Sequence, residues 1–181
     1  MIGEFRKFVG NRILAWFLTH PTTTLGINPL ARELGISPGS MKRYADLLEE
    51  NGLITVTRAG TAHLLSLNND DLIVRELKRS CMALLLREAG ISGIAPSCIS
   101  LAVYGSVATG THDERSDIDV LVIGDEGGVA FDRIPAIETK MGHEVRVTIL
   151  SYFQWEELKR QGDSFAANVL ARHILFAGAE L

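Results

Sequence analysis

Val103-Tyr104-Gly105-Ser106-Val107-Ala108-Thr109-Gly110, followed by Ser116-Asp117-Ile118-Asp119-Val120-Leu121-Val122, is the stretch on which the reading of this chain turns. An apolar strand runs into Gly-Ser, the chain turns into a helix, and two carboxylates arrive eleven and thirteen positions after the serine. Gly105 lets backbone approach a triphosphate closely, and Ser106 with the neighbouring amides can donate to anionic oxygens. Asp117 and Asp119 are two apart where a strand begins, so alternation puts both carboxylates on one face. Paired hard oxygen ligands of this kind suit Mg²⁺, which also draws ligands from nucleotide phosphates. Two such ions can activate an attacking hydroxyl and stabilise a pyrophosphate leaving group.

Outward from this stretch, Ile99 to Tyr104, Val120 to Ile123 and Glu144 to Leu150 read as strands. Ser151 caps a helix containing Phe153, Trp155 and Leu158, and Phe165 to His173 reads as a last helix. The Gly-, Ser- and Pro-rich run from Gly90 to Pro96 marks a domain boundary there or within the preceding helix.

The front of the chain has a different rhythm. Phe5, Phe8, Val9, Ile13, Trp16 and Phe17 recur at helical spacing, predicting a helix over about residues 3–19 that stops at His20-Pro21. Asn28 as N-cap with Pro29 at the first helical position opens a second helix, and Gly35 closes it. Ser37 caps a third, running to Glu50 with Met41, Tyr44, Ala45, Leu47 and Leu48 as its apolar set. Leu53 to Thr57 and Ala62 to Leu67 then form a hairpin through Arg58-Ala59-Gly60-Thr61. Asp70 or Asp71 caps a connecting helix to about Ala89, with Ile73, Leu77, Leu84 and Leu85 at helical spacing.

Pro29 to Tyr44 together with Leu47 to Ile54 resembles the winged helix-turn-helix of prokaryotic transcription regulators. The resemblance implies binding to double-stranded DNA by a symmetric homodimer, with Ser37, Ser40, Lys42, Arg43 and Tyr44 at the groove and Arg58 and His63 reaching flanking phosphates from the wing. Dimerisation or docking to protein is the competing use of such a fold. The Gly-Ser and Asp-x-Asp run resembles the DNA polymerase β superfamily, in particular its minimal nucleotidyltransferases. That implies nucleotide binding at Gly105 and Ser106, and catalysis and metal binding at Asp117 and Asp119, with Mg²⁺ as cofactor and ATP or another NTP as substrate or ligand. The family supplies a third acid from a later strand. Here Arg146 stands at that position and Glu144 lies two residues earlier on the same face, so either Glu144 is the third catalytic acid in a shifted register or the third ligand is missing. An arginine facing two aspartates can also take the metal's place as an ion pair.

These readings give an α+β chain: residues 1–68 a winged helix-turn-helix, 69–90 a connector helix, and 91–181 a small polymerase β-like nucleotidyltransferase α/β domain. The expected function is a DNA-binding transcriptional regulator with a Mg-dependent domain moving NMP from NTP to a hydroxyl, a protein acceptor included. The alternatives are a non-catalytic nucleotide-sensing regulator and an antitoxin-like partner protein. Net charge is −4 over 181 residues, yet residues 1–67 hold seven Lys/Arg against five Asp/Glu. The mildly basic front suits phosphate contacts and the acidic remainder suits metal. No apolar run nears the roughly 20 residues of a membrane span, and no signal-peptide pattern opens the chain, so a soluble, cytoplasmic protein without membrane association is expected. Cys81 and Cys98 lack metal-ligand spacing and read as core residues.

Overall fold

A computed structural model describes residues 7–60 and 62–181. Phe5, the start of the first expected helix and Thr61 of the hairpin lie outside the described residues. Contacts divide the chain into two compact units, Met1–Cys81 and Met82–Leu181. Among the described residues no helix is long and apolar enough to cross a membrane.

The first unit contains α1 (Val9–Thr19), β1 (Leu25–Gly26), α2 (Ile27–Glu33), α3 (Pro38–Glu50), β2 (Ile54–Ala59) and β3 (Ala62–Leu67), with the antiparallel strands in the order β1-β3-β2. Ile13, Phe17, Leu30, Met41, Ala45, Ile54 and Leu65 bury together as its core. Ser37 caps α3 by accepting from the Ser40 amide at 3.1 Å, an interaction that contributes about 1 kcal/mol. Gly35, at φ +61, supplies the turn between α2 and α3.

Three local expectations need correction. Gly26, not Asn28, is the N-cap of α2, and Pro29 sits at its third residue; proline is tolerated there because first-turn amides have no intrahelical acceptor. Leu47 faces solvent at 50% exposure rather than joining the core. Arg58 and Ala59 belong to β2, because pairing continues to Ala59↔Ala62. Strand β1, where the sequence reading placed no element, pairs Leu25 with Leu65 and Gly26 with Leu64, since two residues show no periodicity of their own but can still join a sheet edge.

Helix α4 (Leu72–Ala89) is capped by Asp71, whose carboxylate accepts from the Val74 amide at 3.0 Å. Val74 and Leu77 pack into the first core, Met82 and Leu86 into the second. Ile73, expected on the packed face, is 57% exposed.

The second unit is built on a four-stranded sheet, β4 (Ser100–Tyr104), β5 (Ile118–Ile123), β6 (Val145–Leu150) and β7 (Ile174–Gly178), in the order β6-β5-β4-β7. Strand β5 is antiparallel to β4 and parallel to β6. The central strands read as apolar runs because both sheet faces are covered: one packs Val103, Ile118, Val120 and Val122 with Leu86 and Ile137, the other packs Leu121 and Ile123 with Trp155 and Val169. The short helix α5 (Gly105–Thr109) follows β4, α6 (Ile134–Met141) precedes β6, and α7 (Tyr152–Gln161) and α8 (Ser164–Ala171) precede β7. Ser151 and Gln154 form a full capping box at the start of α7. The last helix ends at Ala171, two residues short of the expected His173, because the chain turns extended at Arg172 and enters β7. Both cysteines are half-buried rather than fully enclosed.

Candidate active site

The site forms where β4, β5 and β6 lie side by side. Tyr104 pairs with Asp119, and Asp119 pairs with Arg146, so one register row crosses three strands. Gly105 comes immediately after this row and takes φ +68, a conformation that side chains disfavour. Its missing side chain is also a spatial requirement: a Cβ there would lie 2.5 Å from Asp119 Oδ2. The bare backbone of the turn and one aspartate are thereby brought into contact distance.

The turn is tied down from behind. The Ser106 carbonyl accepts from the amides of Thr111 and His112 at 2.9 and 3.2 Å, and Thr109 Oγ1 donates to the Gly105 carbonyl at 3.1 Å. The loop returning to β5 is closed by Asp113, whose carboxylate accepts from the Arg115 amide and the Ser116 hydroxyl. Those bonds hold the Asp113 carboxyl below its ordinary pKa, the Arg115 amide contributing most. Asp113 is therefore a loop brace.

Asp117 and Asp119 experience different surroundings. Arg146 Nη1 lies 2.7 Å from Asp117 Oδ2, and its Nε is 3.4 Å from Glu144 Oε1. The guanidinium therefore holds two carboxylates, and these, led by the Glu144 hydrogen bond, raise its already high pKa. Burial pushes the Asp119 carboxyl up, Asp117 pushes it further, and Arg146 offsets part of the rise. Glu144 precedes β6 and is 62% exposed. Among the described residues no group of three or more His, Cys, Asp and Glu side chains is arranged to hold a metal ion.

The nucleotidyltransferase domain family matches residues 95–171, which contain this whole constellation. A protein of Methanocaldococcus jannaschii, provisionally named a protein adenylyltransferase, is 39% identical over 72 residues, covering 39% of this chain and 69% of the relative. The chain belongs to the nucleotidyltransferase family. The assignment rests on the second unit, and the match stops short of β7. No solved structure matches the chain significantly.

Two features of the nucleotidyltransferase site escaped the sequence. The Gly105–Asp119 contact requires the β4–β5 register, which no spacing rule supplies. His143, which bonds the Ser116 carbonyl through Nδ1 at 2.7 Å and so braces the approach to Asp117, lies 27 residues away in sequence.

The residues read as DNA contacts all fall in the first unit. Ser37 and Ser40 share a hydroxyl hydrogen bond at 3.0 Å, and Lys42 is paired with Asp46 at 2.6 Å. Arg43 stacks over Tyr44 at 4.9 Å from the ring centroid. Tyr44 is half-buried against the first core and beside Gly10, where a Cβ would meet its ring at 2.9 Å. Arg58 and His63 face each other across the hairpin in register.

Proposed function

We propose that the nucleotidyltransferase domain moves the NMP of an NTP, ATP in the first instance, onto a hydroxyl of a protein. The observation that carries this reading is the Asp119 carboxylate held against the bare Gly105 turn, within a domain of the matching family. The name of the archaeal relative supports adenylyl transfer to protein.

The donor set fits a divalent ion that arrives with the nucleotide. Asp119 is a hard oxygen ligand, and Mg²⁺ is commonly held by one or two carboxylates together with substrate phosphates. Bound there, Mg²⁺ would supply charge neutralisation of the triphosphate and polarisation of the phosphorus under attack. The Gly105 turn admits the phosphates to the backbone, and Ser106 Oγ with the adjacent amides donates to their oxygens. Asp117, fixed by Arg146, sets the position of the guanidinium beside the phosphates. The acceptor oxygen forms its bond to the α-phosphorus as the bond to pyrophosphate breaks, and Glu144 is the proposed acceptor of the hydroxyl proton.

Label transfer from [α-³²P]ATP to cell protein tests the reading. Transfer is expected to be slow in the wild type, lost in Asp119→Asn and raised in Arg146→Asp, which restores an acid to the β6 row. Nucleotide binding without transfer in either the wild type or Arg146→Asp would favour a nucleotide-sensing regulator, a reading that the Asp117–Arg146 pair supports.

We also propose that the first unit is a winged helix that binds double-stranded DNA as part of a regulator, with α3 entering the major groove and two copies of the chain reading two half-sites. Support comes from the Ser37-capped α3 following α2 across the Gly35 turn, and from the hairpin of β2 and β3.

A further inference from the structure

The two aspartates are not equivalent, although their spacing makes them look like a matched pair. Asp117 is neutralised at 2.7 Å by a guanidinium that does not lose its proton under any physiological condition. Among the described residues, no hydrogen bond or ion pair joins the Asp119 carboxylate to another side chain. Its Oδ2 lies on the side where Gly105 lacks a Cβ.

We propose that Arg146 is the resident cation of this site: held on Asp117, it leaves Asp119 as the single carboxylate open to a divalent ion, so the domain binds one metal ion with its nucleotide instead of two. The inference rests on the nucleotidyltransferase reading of the same residues and concerns how that site is regulated by its own charge. A second ion would need ligands shared between Asp117 and a further acid. Asp117 is occupied, and Glu144, the acid just before β6, is turned to the same guanidinium. A divalent ion shared by the aspartates would also meet the positive charge of Arg146, and like charges in close proximity repel even where solvent screens them. The row Tyr104–Asp119–Arg146 explains why the exclusion is built in: parallel pairing of β5 and β6 sets Arg146 beside Asp119, and its long side chain reaches Asp117 from there.

The test counts Mn²⁺ bound per chain by equilibrium dialysis in the presence of saturating α,β-methylene-ATP, with the full chain throughout. One ion is expected for the wild type, two for Arg146→Asp, and a loss of at least tenfold in Mn²⁺ affinity for Asp119→Asn. Arg146 is 59% exposed, so its replacement leaves the core intact, and far-UV circular dichroism checks this. Two ions in the wild type would overturn the proposal and leave nucleotidyl transfer standing. A single ion in Arg146→Asp would overturn it as well, because the arginine would not be what excludes the second. If neither protein binds Mn²⁺ with nucleotide, this proposal and the functional reading fall together.

Discussion

Arg146 donates to Asp117 at 2.7 Å although its partner in the strand register is Asp119. The guanidinium reaches diagonally across the β5–β6 pair, and this is what separates the two aspartates chemically. One carboxylate has a permanent counterion, and the other sits partly buried beside a backbone turn.

That asymmetry sets a pH dependence. Asp119 has its pKa raised, first by burial and then by Asp117, with Arg146 acting against both. A raised carboxyl favours the folded state when protonated: the stability it contributes is fully present below the ordinary aspartate pKa and is lost as pH rises through the raised value. The proposed metal binding runs the other way, since it would need the carboxylate. Carbon-detected NMR titration of the aspartate carboxyls should find Asp119 above the ordinary range, and Arg146→Gln should move it higher still. An Asp119 that titrates like a free aspartate would contradict the arrangement.

Gly105→Ala should damage the site without removing a single functional group. The new methyl would enter a positive-φ position and stand 2.5 Å from Asp119 Oδ2, so either the turn or the aspartate must move. The conformational part alone costs about 1–2 kcal/mol, measurable by urea unfolding. Calorimetry should show nucleotide affinity falling at least tenfold. Unchanged affinity in a stably folded variant would mean that the turn does not approach the ligand.

For the first unit, Lys42→Ala with Arg43→Ala should weaken the proposed DNA binding and flatten its dependence on salt, by about one unit of slope for each phosphate that the variant no longer neutralises. Lys42 is tied to Asp46 and must exchange that exposed pair for phosphate, so Arg43 should carry the larger share. Gel-shift titrations at several salt concentrations measure both affinity and slope. Equal values in the double variant would remove α3 as the reading element.

Much of the local structure was legible because its causes are local. Ser37 and Ser151 announce their helices by side chains that satisfy first-turn amides, and Gly35 marks a turn that needs positive φ. The Gly-Ser turn and the Asp-x-Asp strand were likewise readable from spacing, and the family resemblance marked Arg146 as standing where a third acid is implied. Strand β7 was not: Ile174–Gly178 follows directly on a helix-like run, and only pairing with β4 makes it extended.

The sequence by itself determined which groups are available: two aspartates, a glycine turn, one arginine and one glutamate, at spacings that neighbouring atoms along the chain enforce. Only the tertiary structure decided how they are shared out. The parallel register of β5 and β6 put Arg146 beside Asp119, the reach of its side chain gave it to Asp117 and Glu144, and the antiparallel register of β4 and β5 pressed Asp119 against Gly105. Strand register is a long-range choice made by the packing of both sheet faces at once, so a side chain's partner on the next strand follows from the fold and not from its own neighbours in sequence.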